Sequence, residues 1–391
     1  MKYGSFVALL CWAVTVAAQS PAERRIAAAA RALSASPSRY ELHNELALAL
    51  ARRARETGDP GFYLRAEEAL KESLRIAPGN FEGQKVKVWV LLGKHEFSQA
   101  LELARELNRQ MPDDVQVYGM LADAYAELGQ YEEAEKAVQW MLDLRPGNVA
   151  ALTRGAYLRE LFGDLEGALD FMQAALQRLP GGETEDRAWI LTQLAHLSRL
   201  AGRHEIAARL AGRALQLMPG YHYALGELAR ICTAQGKHEE AVMLLRQRYR
   251  AAPHPENLYE LAMALERAGE LLEAQEAFVR FEQEARRESV TADNANRELV
   301  FYYADRAGDP PLALRLADEE MQRGRDVHTR HAYAWALFRN GRVAEAAREI
   351  ETVLAVGVRD PSILEHAAAI RGAGSGGLMG GAAKGARNLP Q

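Results

Sequence analysis

Proline recurs along this chain at a fixed interval. Pro78, Pro112, Pro146 and Pro180 are each 34 residues apart, Pro219 follows after 39, and Pro253 after another 34. A period of a few tens of residues means stacked copies of one small unit, because a unit that size cannot bury its apolar face alone. Twelve residues before each proline stands an alanine: Ala66, Ala100, Ala134, Ala168, Ala207 and Ala241. The alanines continue as Ala274, Ala313 and Ala346 after the terminal proline stops recurring. A second small position precedes each of these anchors: Ala47, Val88, Ala122, Ala156, Ala195, Ala229, Ala262, Phe301 and Ala334. Two independent series with one period leave nine units.

Each unit reads as two antiparallel helices, most clearly over 115–148. Tyr118, Leu121, Ala122 and Tyr125 fall on one face of a first helix, which Gly129 ends. Ala134, Val138, Met141 and Leu142 line a second helix, and Pro146 stops it because proline has no N–H for the ladder. Small residues belong where the two helices cross. No stretch requires a strand. The expected fold is all-α: a right-handed superhelical solenoid of antiparallel helix pairs.

Tyr118, Leu121, Ala122, Tyr125, Gly129, Tyr131, Ala134, Met141 and Pro146 resemble the signature of the tetratricopeptide repeat. The resemblance covers about nine units and gives a solenoid at 40–361. The second unit departs from the pattern at Lys87 and Val88, and longer connections are expected around Thr57–Tyr63 and Ser289–Asn294. A lone N-terminal helix is expected to cap the array at 19–39, and a second cap follows at 362–371. Residues 372–391 carry seven glycines in twenty residues and are expected to be a disordered tail, since each glycine costs a helix about 1 kcal/mol.

Residues 1–18 read as a cleaved signal peptide: Lys2, an apolar run from Phe6 to Ala18, and small residues at Val16 and Ala18. The leader's style and the alanine- and arginine-rich repeats suggest an exported bacterial protein, periplasmic or secreted. An uncleaved N-terminal anchor is the weaker expectation, because a spanning helix needs about 20 apolar residues. Of the two cysteines, only Cys232 would remain after cleavage, so no internal disulfide is expected. The formal net charge of −5 offers no basic surplus for phosphate backbones, so nucleic acid is not an expected partner.

The chain lacks GxxxxGK[ST], HExxH, CxxC and GxSxG motifs. His95, His204 and His238 are expected to be solvated turn residues, and Arg52-Arg53-Arg55 and Arg246-Arg248-Arg250 to be solvated faces of second helices. His328 and His331 lack a third ligand nearby, so no metal, cofactor or catalytic residue is assigned. The family resemblance implies that ligands contact the second, fifth, ninth, twelfth and thirteenth positions of each unit. Carried onto this sequence, those positions nominate Tyr157, Trp189, His196, Arg199, Tyr223, Arg230, Tyr259, Arg267, Tyr302, Arg306, His331, Trp335 and Arg339 as a partner-binding groove. Aromatic and arginine side chains of this kind anchor protein interfaces. The expected function is a non-enzymatic protein–protein interaction scaffold of the cell envelope, holding an extended peptide or partner protein in its concave groove. Contact with a membrane would come through a partner or the uncleaved leader, and the oligomeric state is left open. The alternative is an assembly factor that self-associates or docks on a membrane complex, motivated by the apolar Ala367–Ile370 face with no helix expected to cover it.

Overall fold

The computed structural model describes residues 20–289 and 294–382, with side chains through 373. Twenty α-helices and no strand are found among the described residues. The signal-peptide expectation for 1–18, the middle of the connection after Ser289, and the last nine residues of the tail lie outside them.

After a lone α1 (Pro21–Ala35), the helices pair as hairpins. They are α2 (Tyr40–Thr57) with α3 (Gly61–Ile76), α4 (Phe81–Gly93) with α5 (Phe97–Gln110), and α6 (Val115–Glu127) with α7 (Tyr131–Leu144). Next come α8 (Val149–Leu161) with α9 (Leu165–Arg178), α10 (Thr184–Leu200) with α11 (His204–Leu217), and α12 (His222–Ala234) with α13 (His238–Ala251). The last three are α14 (Pro255–Arg267) with α15 (Leu271–Glu288), α16 (Asn296–Asp305) with α17 (Pro310–Arg323), and α18 (Val327–Arg339) with α19 (Val343–Val356); α20 (Pro361–Ala382) closes the array.

The periodic residues do the work that their spacing implied. After Pro78, Pro112 and Pro146 end a second helix, a polar residue two positions on caps the next first helix. Asn80 accepts from the Gly83 N–H at 2.9 Å, Asp114 from Gln116 at 2.8 Å, and Asn148 from Ala151 at 3.0 Å. The anchor alanines from Ala66 to Ala346 are fully enclosed, at 0% exposure except Ala274 at 3%. Any larger side chain there would push the helices of a hairpin apart. Hairpin 2 has no glycine at its turn, and His95 takes the left-handed conformation instead, with φ at 59°. Its expected departure at Lys87 and Val88 leaves the hairpin intact, with Val88 fully buried.

Three expectations need correction. Arg52, Arg53 and Arg55 lie on a first helix, α2, and Arg55 is paired with Glu185 and Asp186 on α10. Arg53 reaches Glu23 on α1 at 2.6 Å and Glu56 at 3.0 Å. Arg248 is 4% exposed and pairs with Glu260 on α14. The terminal helix continues past Arg371 to Ala382. Glycine weakens a helix without forbidding it, so composition set that boundary too early.

The superhelix is tightly wound, so the ribbon turns back onto itself and hairpins far apart in sequence meet. The α2–α3 turn at Gly58 faces His222 and Ala252. The Arg325 N–H donates to the Glu127 carbonyl at 2.9 Å, and the Val327 N–H donates to the Tyr131 hydroxyl at 2.9 Å. The α8–α9 turn at Gly163 lies against the Gly357 carbonyl. Each of these three turns thus meets the junction that follows the fifth hairpin beyond it. Glycine is required at two of these contacts, since a Cβ on Gly129 or Gly163 would stand 2.5 Å from a backbone oxygen of the next turn.

Candidate functional site

Self-contact converts the concave face into a channel lined by first helices. Three adjoining cavities run through it, of about 860, 450 and 270 Å³, and Tyr157 on α8 lines all three. In the largest, Trp89 (α4), Tyr157 and Trp189 (α10) supply aromatic surface among Arg52, Asp123, Arg154 and Gln193. Arg154 is held in place by Asp123, with Nε 2.8 Å from Oδ1, and also donates to the Gly119 carbonyl at 3.0 Å.

The second cavity lies at the seam between early and late hairpins, walled by Trp89, His95, Glu127, Arg297 and Asp326. Burial, then the nearby Asp326 charge, pushes the Glu127 carboxyl up to about 8. Glu298 is pushed up to about 7 by burial and by Glu256. Asp326 is held low despite its burial by Arg297, and it caps α18 through the His328 N–H at 2.9 Å. Burial, followed by the Arg297 charge, lowers the His95 imidazole to about 4.

In the third cavity a relay of charges joins three helices. His196 Nε2 lies 2.7 Å from Glu160, and Arg199 Nε donates to Glu227 at 2.6 Å. Burial opposes the charge on His196, but the Glu160 and Glu227 carboxylates outweigh it and raise the imidazole to about 9. Burial likewise opposes ionisation of Glu227, and His196 and Arg199 outweigh it, holding the acid at about 2. Arg230 continues the relay to Glu260, with Nε at 2.9 Å.

Of the residues nominated from sequence, Tyr157, Trp189, His196, Tyr223 and Arg230 line these cavities. Arg199 stands behind them on Glu227. The nominations from α14 onward are placed elsewhere. Tyr259 packs on Phe278 and Phe281 within its own hairpin, and Tyr302 is 8% exposed among the same rings. Arg306 lies 4.8 Å over Phe278 and pairs with Glu266. His331 is 2.8 Å from His366 on α20, which stacks on Trp335 at 3.7 Å. Trp335 Nε1 donates to Asp305, which also receives Arg339. Arg267 is exposed at the end of α14. Arg306, His331, Trp335 and Arg339 thus fasten successive first helices together, while Tyr259 and Tyr302 pack on α15.

The positional rule missed Trp89 and Glu127 only because it was carried no further back than the fourth unit. Trp89 and Asp123 hold the ninth position, as Tyr157 and Arg230 do, and Glu127 holds the thirteenth. No sequence signal marks Arg297 or Asp326, which reach the channel through the seam. No group of three or more His, Cys, Asp or Glu side chains is arranged to hold a metal ion among the described residues. No described helix is long and apolar enough to cross a membrane.

Fold and channel together define a helical-hairpin solenoid with an internal channel walled by aromatic and charged side chains. Two models of the tetratricopeptide repeat match its hairpins, over residues 91–156 and 224–259. Proteins built on such repeats generally mediate protein–protein interactions and are generally non-enzymatic scaffolds. Among solved structures, the human IFIT1 dimer with PPP-AAAA aligns with a TM-score of 0.51 at 14% identity, over 81% of this chain and 90% of that one. That likeness concerns the fold alone. A tetratricopeptide repeat protein from Parabacteroides merdae ATCC 43184 aligns at 18% identity and a TM-score of 0.45, over 60% of this chain and 91% of its own. The APC/C hetero-tetramer Cut9–Hcn1 gives 12% identity and a TM-score of 0.48 over 83% of this chain, which spans 55% of the chain it matches. No curated protein matches the sequence.

Proposed function

We propose that this protein is a non-enzymatic interaction scaffold, exported to the cell envelope, that holds an extended segment of a partner protein in its internal channel. The carrying observation is the continuity of three cavities through Tyr157, with Trp89, Trp189 and Tyr223 spaced along them. Rigid aromatic rings give large contact area at small rotamer cost, and the fixed Arg154 and Gln193 offer hydrogen bonds to a peptide backbone. The seam favours an extended segment over a folded partner, because self-contact leaves no open concave face for a domain to enter. Balanced charge favours a protein over a nucleic acid.

Self-association through the end of the array keeps only part of the observation that motivated it. Ala367 and Ile370 are 2% and 0% exposed and belong to the core shared with α18 and α19, while Ala368 and Ala369 are exposed.

A photoreactive amino acid at Trp189, compared with one at Trp140 on the outer surface (52% exposed), tests the reading in the protein's own cells. Position 189 is expected to capture a defined chain, with the crosslinks confined to one short segment of it. Capture at Trp140 alone, or crosslinks at position 189 spread over a folded domain, would overturn it.

A further inference from the structure

The seam adds polar contacts to apolar packing. One buried apolar cluster takes in residues of α4–α8 and of α12–α20 without α9–α11, so it bridges the seam, and the α6–α7 turn and the α17–α18 loop meet there through two hydrogen bonds, Arg325 N–H to Glu127 carbonyl and Val327 N–H to Tyr131 hydroxyl. Gly129 and Gly324 let the two backbones approach: the Arg325 carbonyl lies where a Gly129 Cβ would be, and the Glu127 carbonyl lies 3.3 Å from a Cβ placed on Gly324.

Behind these bonds, carboxylates gather from both sides. Asp123 and Glu127 come from α6, Asp326 caps α18, and Glu298 and Glu256 stand beyond Arg297 on α16. Tyr131, Tyr157, His95 and His328 stand around them, the tyrosines neutral and His95 deprotonated through burial, with the Glu320–Arg323 pair of α17 on the cavity wall and Arg330 of α18 beside Tyr131. Arg297 is the cation that faces Glu127 and Asp326 together. One guanidinium cannot neutralise both sides, so closing the seam favours a proton on Glu127.

We propose that this seam is a clasp that parts when Glu127 loses its proton, swinging α16–α20 away from α4–α9 and opening the channel along its side. Parting separates Glu127 from Asp326 and returns both to water. The second and third cavities, which have walls on both sides of the seam, become an open groove, while the largest cavity, built on α2 to α10, keeps its walls. The use of the clasp for partner entry rests on the channel reading above. The shape change itself requires no partner and is measured without one.

Small-angle scattering of the full chain from pH 6 to 9.5 tests it. Glu127 sits above its unfolded value, so the closed form is favoured at low pH and is lost as pH rises toward about 8. The radius of gyration is expected to grow through that range in the natural protein and to stay constant in Glu127→Gln. Asp326→Asn keeps a cap on α18 and removes a charge that holds the Glu127 carboxyl up, so the pH-driven expansion should shrink. A constant radius in the natural protein, or the same expansion in all three, would overturn the clasp.

Discussion

Gly129 and Gly236 end the first helices of their hairpins with nearly the same backbone, φ 70° and 74°, yet they meet different surroundings. A Cβ on Gly236 would find nothing within 4 Å, whereas one on Gly129 would stand 2.5 Å from the Arg325 carbonyl. Alanine at either site carries the left-handed cost of about 1 kcal/mol. Gly129→Ala should lose about 1–2 kcal/mol more, because backbone on both sides must move. Urea denaturation of the two variants side by side checks this, and equal losses would mean that the seam is not formed in solution. Both glycines are legible in the sequence as helix ends, but the second duty of Gly129 is not, because its neighbour lies almost 200 residues away. The same limit explains the groove nominations. Position within the repeat places Tyr157 and Trp189 on the channel wall, whereas Tyr302 and Trp335, at the position equivalent to Tyr157, are consumed by packing on Phe278 and His366.

Among the elements, the hairpins were legible because proline, alanine and glycine each enforce a local geometry wherever they recur. The end of the array was less so. α20 is secured by a contact that no repeat position foretells: His366 stacked on Trp335 and hydrogen-bonded to His331. Burial, then the proximity of His366, pushes His331 down to about 3, and burial also lowers His366. Both imidazoles are therefore neutral in the docked state, while in the unfolded chain they take up protons near pH 6.5. Docking is at full strength above that value and weakens as pH falls below it. Hydrogen exchange of α20, corrected for intrinsic rates, should show lower protection at pH 5 than at pH 7, with α8 unchanged. Equal protection of α20 at both pH values would remove the histidine pair as the fastening.

At the scale of the whole molecule, local rules give a stack of hairpins but do not set its pitch, which accumulates from small rotations between neighbours. A slightly wider pitch would leave a groove; this one closes a channel, and long-range ion pairs mark the closure. Arg55 on α2 pairs with Glu185 and Asp186 on α10, and Tyr221, just before α12, donates to Glu185 at 2.7 Å. Glu185 is buried, so these partners stand in for the water it has lost. Removing Arg55 alone strands a carboxylate, and removing Glu185 alone strands a guanidinium, whereas removing both strands neither fully. The combination Arg55→Met with Glu185→Gln should therefore show a coupling energy of about 1–2 kcal/mol in a double-mutant cycle of thermal or urea unfolding. Because 130 residues separate the pair, no structure confined to neighbouring hairpins can produce that coupling. Additivity within about 0.3 kcal/mol would mean that the ribbon is open in solution and that its concave face is a groove.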